Sequence, residues 1–134
     1  MRIMTTLGIA VVLFLTMSVN SYAADKEKMP AGVKMEKSAA GPVLADSKKM
    51  TLYTFDKDTT PGKSACNGPC AQNWPPLAAK ADAKSMGDWT VVTRDDGSKQ
   101  WAYKGKPLYT WVKDSKPGDT SGEGVNTVWH VAKP

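Results

Sequence analysis

Two cysteines and one histidine are the residues best equipped for chemistry in this 134-residue chain. Cys66 and Cys70 stand in C-x-x-x-C spacing around Asn67-Gly68-Pro69, and His130 lies near the C-terminal end. If the thiols were reduced, they could join His130 and Met35, Met50 or Met86 around a soft ion such as copper(I). No C-x-x-C or H-x-x-x-H spacing brings ligands together locally, so no metal is assigned. Cys66, Cys70 and His130 remain the candidates for an alternative role as a periplasmic metal-binding or redox accessory protein. Asp56, Asp58 and Thr60 alternate as the early ligands of a calcium loop do, but Pro61 stands where that loop needs glycine and Asn67 where it needs a carboxylate. Val112 replaces the first of these aspartates in a second, similar segment. Nucleophilic catalysis would have to use His130, and no G-x-S-x-G elbow is present. The carboxylate pairs Asp56/Asp58 and Asp95/Asp96 fall in turns, where solvation is expected, and Gly122-Glu123-Gly124 reads as a loop. No catalytic residue, cofactor or enzyme activity is assigned.

The N-terminus bears on the state of the thiols. Arg2, the apolar run 7–15 and the small-residue box Ser21-Tyr22-Ala23 have the order of a secretory signal peptide over residues 1–23. The run is broken by polar residues too soon to span a bilayer comfortably, and no cysteine stands at the cleavage box to take a lipid. A periplasmic or secreted protein is therefore expected, without a lipid anchor at that site. In an oxidising compartment Cys66 and Cys70 should pair as a disulfide. Closing so short a loop is worth about 2 kcal/mol. Without Arg2 the chain keeps 17 basic residues against 13 acidic ones, net +4. The lysines are scattered among the acids, which fits a solvated surface and excludes the clustered basic face of a nucleic-acid binder.

The elements that would position these residues are mostly strands. Residues 24–41 read as a flexible lead, although Val33 and Met35 alternate with polar neighbours and permit a short edge strand. Residues 42–134 read as a single β domain. Period-two patterning marks strands at 43–45, 50–55, 89–94, 99–103, 107–112 and 127–132. Asp95-Asp96-Gly97-Ser98 and Lys104-Gly105-Lys106 have hairpin-turn composition. Only 77–86 could hold a helical turn or two. The expected fold is mainly β, a small antiparallel sheet or sandwich with little helix outside the signal peptide.

An internal repeat organises the domain. Residues 52–62 and 108–118 agree at seven of eleven positions, and Trp74 and Trp129 follow at nearly equivalent places. Repeat 1 spans about 42–79 and repeat 2 about 99–134. In a strand Tyr53 and Phe55 share one face, as do Tyr109 and Trp111. The reading preferred here is that these rings fill a core, while Asp58 and Asp114 accept backbone N–H groups to fix the turns before Pro61-Gly62 and Pro117-Gly118. The other is an aromatic binding surface, with Trp74 and Trp129 as its candidates.

Together, Tyr53-x-Phe55-x-x-Asp58, Tyr109-x-Trp111-x-x-Asp114, the Cys66/Cys70 pair, Trp74-Pro75-Pro76-Leu77 and Trp129-His130-Val131 resemble the secreted-repeat family of predicted bacterial lipoproteins with a Y-x-[FWY]-x-x-D motif. The resemblance covers about residues 33–134 and implies export without implying a known role. This chain departs from the many lipoprotein relatives in lacking the lipid-accepting cysteine. The function expected is a non-enzymatic envelope protein that binds an unidentified ligand or partner. Binding would use an aromatic surface or the loops 59–73 and 115–126, where a rigid β scaffold usually places recognition.

Overall fold

The computed structural model describes residues 29–134. The signal-peptide reading of 1–23 and the start of the lead lie outside the described residues. In chain order the strands are β1 Lys34–Ser38, β2 Gly41–Ala45, β3 Tyr53–Phe55, β4 Ala78–Ala79, β5 Trp89–Thr93, β6 Lys99–Tyr103, β7 Lys106–Pro107 and β8 Trp129–Val131. Among the described residues one short helix, α1, covers Pro69–Asn73, and a 3-10 turn covers Val125–Thr127. The fold is mainly β, in small antiparallel sheets.

Turn chemistry starts each half with a hairpin. β1 and β2 pair from Lys34↔Ala45 to Ser38↔Gly41. β5 and β6 pair from Trp89↔Tyr103 to Thr93↔Lys99. The Asp96 carboxylate accepts the Ser98 N–H and hydroxyl and so fixes the turn between β5 and β6. Lys104 and Gly105, both at positive φ (50° and 81°), make the tight reversal from β6 to β7 that a right-twisted hairpin favours.

The halves are then knitted together by exchange. Tyr53 N–H donates to Tyr109 O at 2.7 Å and Tyr109 N–H to Tyr53 O at 3.0 Å. Reciprocal bonds between equivalent residues place a pseudo-two-fold axis between them. The return segment of each half crosses this axis. β8 of the second half pairs with β3 of the first, Tyr53↔Val131 through Phe55↔Trp129. Leu77, ending the first half, bonds to Trp101 and Leu108 of the second, as Ala132 bonds to Leu44 and Leu52 of the first.

Alternation along these strands divides the apolar residues between two clusters. Leu44, Leu52, Leu77, Leu108 and Ala132 pack with Val33, Trp89 and Trp101 on one side. Val43, Tyr53, Tyr109 and Val131 pack with Cys66, Trp74 and Trp129 on the other.

Several boundaries differ from the sequence expectations. Residues 34–41, read as the end of the lead with a short edge strand permitted at Val33 and Met35, supply β1 and its turn, so the hairpin unit of each half begins at Lys34 and Trp89 rather than near 42 and 99. Of the expected strand 107–112 only Pro107 lies on the ladder, paired with Ala102 as part of β7. Tyr109 instead makes isolated bridges to Tyr53 and Pro76, and Val112 turns out to 52% exposure. No helix forms over 77–86, because Leu77, Ala78 and Ala79 are recruited to the edge of β6. Helix forms at Pro69–Asn73 instead, with proline in its first turn, where the missing N–H costs nothing.

Candidate functional site

The register of β3 on β8 lays Phe55 against Trp129, and the exchange of return segments extends this contact into a stack of four rings. Phe55 and Trp129 are 4.2 Å apart, Trp129 and Trp74 3.8 Å, and Trp74 and Trp111 3.9 Å, all within 22° of parallel. Successive rings come from alternate halves. Tyr53 meets Trp74 edge-on at 5.4 Å, and Tyr109 meets Trp129 edge-on at 5.2 Å. These geometries suit rings whose faces are negative and edges positive. Trp74 and Trp129 are 4% and 2% exposed, so the candidate aromatic surface is the centre of a core. Its driving force is the large apolar area that each indole removes from water. Only the stack ends, Phe55 and Trp111, are half-buried, and the Lys113 ammonium lies 5.6 Å from the Trp111 ring centre.

The aspartates of the repeat lock the loops to this core. Asp58 accepts the Ala65 N–H through Oδ1 at 2.6 Å, and Asp114 accepts the Ser121 N–H through Oδ1 at 3.0 Å. Backbone acceptance was expected of both at the turns before Pro61-Gly62 and Pro117-Gly118, whereas the N–H groups they bind lie beyond those pairs. Their second oxygens take a phenol from the opposite half, Tyr109 Oη to Asp58 at 2.6 Å and Tyr53 Oη to Asp114 at 2.5 Å. Burial, reinforced by the carboxylate beside each hydroxyl, raises both phenol pKa values well above the ordinary range. Burial also raises Asp58, against the opposing bonds from Tyr109 and Ala65. A raised phenol value favours the folded state below the unfolded phenol's pKa, about 10, and this contribution is lost as pH climbs above it. A spectrophotometric titration is therefore expected to show two phenols that resist ionisation past that pH and then ionise together with unfolding. Gradual ionisation with the fold intact would contradict the latch.

Among the described glycines, Gly122 packs most tightly against this core. A Cβ there would lie 2.7 Å from Tyr53 Cε1 and 2.9 Å from Trp74 Cη2, both on rigid rings, and the Gly122 N–H donates to Tyr53 Oη at 3.2 Å. Gly122→Ala is expected to lose about 2–3 kcal/mol by overpacking, read as a lowered urea midpoint at unchanged m-value.

A polar centre that sequence reasoning missed lies beside the first loop. Arg94, 6% exposed, donates from Nη1 to Ser64 Oγ at 2.9 Å and Gln100 Oε1 at 2.7 Å, and from Nη2 to Cys66 O at 2.6 Å. Ser64 Oγ and Tyr109 Oη are 2.6 Å apart. Tyr109 spends its only proton on Asp58, so Ser64 donates to Tyr109. Arg94, Ser64, Tyr109 and Asp58 thus form a relay that joins a buried cation to a carboxylate through two hydroxyls. Gln100 closes the centre by donating to Leu108 O at 2.8 Å.

Cys66 and Cys70 are joined as a disulfide, so neither sulfur is a free thiolate for a metal. His130 lies elsewhere, with Nε2 2.8 Å from Asp56 Oδ2 and Nδ1 3.5 Å from Glu123 Oε1. The candidates Cys66, Cys70 and His130 therefore do not combine into a ligand set. The bond to Asp56 raises the His130 pKa. The pair favours folding below the ordinary histidine value and fades as pH rises through the raised one. With the ring 42% exposed, solvent screening keeps the effect small. A cleft of about 280 Å³ beside Val33, Asp46, Pro76 and Trp101 is lined by none of the tyrosines, stacked rings or aspartates of the two repeats.

Two copies of one structural unit, each completed by the other, are what a tandem repeat family should look like. A family model described as a secreted repeat of unknown function matches residues 34–78 and again 90–133. The chain belongs to this family. No curated protein and no solved structure matches it. The two matched segments of this secreted repeat protein begin at the two hairpins, in agreement with the folded boundaries. The repeats also differ in informative places. At the offset of the repeat, Cys66 corresponds to Gly122 and Ser64 to Thr120. The first loop carries the disulfide and the Arg94 relay, whereas the second relies on the close packing of Gly122. Those substitutions within an otherwise repeated unit were the sequence signal for the polar centre.

Proposed function

We propose that this secreted repeat protein is a non-enzymatic binding module of the cell envelope, periplasmic or released, and that it recognises its partner through the loops 59–73 and 115–126. The observation that carries the reading is the reciprocal latch. Each loop is pinned near its start by an aspartate bound to a tyrosine of the opposite repeat. Beyond the pins, residues 59–63 and 115–117 are exposed and held in a defined shape. Loops fixed before binding lose little conformational entropy on contact, which favours a recognition role. The buried Trp74 and Trp129 take no part in it.

The test is photo-crosslinking in living cells, with a photoreactive side chain placed in turn at Thr60, at Lys116 and at Met35 on β1. A discrete product from the loop positions and none from Met35 would support the reading. Folded protein that gives no product at either loop would sink it.

A further inference from the structure

The residues of the repeated motif also form a chemical set: a phenol, an aromatic stacking partner and a carboxylate. Removing one electron from a phenol makes its O–H strongly acidic, so the oxidation proceeds readily only where a base can take the proton. Here the base is in place, since Tyr53 and Tyr109 each donate to a carboxylate at 2.5 Å and 2.6 Å. Each phenol also touches a stacked indole, Tyr53 on Trp74 and Tyr109 on Trp129. The stack has one oxidisable end. Trp111 is a half-buried indole, whereas Phe55, at the other end, is a benzene ring that resists one-electron oxidation.

We propose that this core is a one-electron relay that opens to solvent at Trp111. A diffusible oxygen-centred radical takes an electron from Trp111 and, with a proton from solvent, closes to its hydroxyl or hydroperoxide. The electron vacancy passes to Trp74 and from there either to Tyr53 or, through Trp129, to Tyr109. It settles as a phenoxyl radical whose proton has moved to Asp114 or Asp58. A reductant of the thiol or ascorbate class returns the electron, and the carboxylate returns the proton. This activity is independent of partner binding by the loops.

The test is pulse radiolysis with the azide radical, which oxidises indoles in preference to phenols. The protein would carry Tyr22→Phe and Tyr103→Phe, which leaves Tyr53 and Tyr109 as its only phenols. Indolyl absorbance should convert to phenoxyl absorbance in a first-order step whose rate does not depend on protein concentration. Trp111→Phe, a ring the other repeat already carries at this motif position, should remove that step, and Phe55→Trp should increase the phenoxyl yield by opening a second route. Replacing both acceptors, Asp58→Asn with Asp114→Asn, should slow phenoxyl formation by about a hundredfold, the usual worth of a positioned proton acceptor. Should that variant not fold, slower conversion in heavy water by the unsubstituted acceptors reads the same proton movement. Conversion that scales with protein concentration, that survives Trp111→Phe or that shows no solvent isotope effect would overturn the relay.

Discussion

Trp74→Ala is expected to cost about 4 kcal/mol of stability, within the range of about 3–5 kcal/mol for truncating a buried tryptophan or phenylalanine. A domain of this size has about 5–15 kcal/mol in total, so the variant should be close to unfolding at ordinary temperature. The size of the effect follows from position. Trp74 is 4% exposed, sandwiched between Trp129 and Trp111, with Tyr53 on its edge. Its removal opens a cavity between rings drawn from both repeats, and rigid indoles cannot collapse to fill it. Trp111→Ala removes a ring with only one stacking neighbour and a half-exposed face, so it should cost clearly less. Urea unfolding of the two variants tests the order. If Trp74→Ala kept native near-UV circular dichroism and an unchanged midpoint, the ring would not be structural and the aromatic-surface reading would return.

What could be read from the sequence was what is local. The hairpin turns at 95–98 and 104–106 were visible because Gly97 and Gly105, both at positive φ, have a compositional signature, although the positive φ of Lys104 beside Gly105 has none. The repeat was visible because the same turn, pinned by the same aspartate, is needed twice. The pairing of the halves was not visible, since period-two patterning tells which face a residue occupies and not which strand lies beside it. Trp74-Pro75-Pro76-Leu77 follows the first motif in sequence, yet the backbone of Leu77 hydrogen-bonds to Leu108 and Trp101 of the second half. This crossing is why 77–86 did not become helical, and why two tryptophans that looked available for a ligand are the least accessible rings of the stack. Arg94 was hidden for a related reason. Beside Asp95 and Asp96 it looked like part of a solvated turn, but its partners Ser64 and Cys66 lie 30 and 28 residues away.

That hidden arginine supports the second large prediction. Arg94→Met keeps much of the side-chain volume but strands Gln100 Oε1 and Cys66 O, two buried acceptors, and removes the cation at the head of the relay. Each stranded buried acceptor costs about 1–3 kcal/mol, so a loss of about 3 kcal/mol or more is expected. Arg94→Lys should not restore it, because an ammonium donates from a single point, whereas the guanidinium fork reaches Ser64, Gln100 and Cys66 at once. The relay adds a sharper expectation. Asp58 answers the buried charge through Tyr109 and Ser64, so Asp58→Asn should cost less in the Arg94→Met background than alone. A double-mutant cycle by urea unfolding should then give a coupling energy above about 0.5 kcal/mol, beyond what independent sites show. Simple additivity would mean that the two hydroxyls do not transmit the charge. Arg94 would then act only as a donor to the first loop, and the difference between the repeats would come down to the shape of that loop and its disulfide.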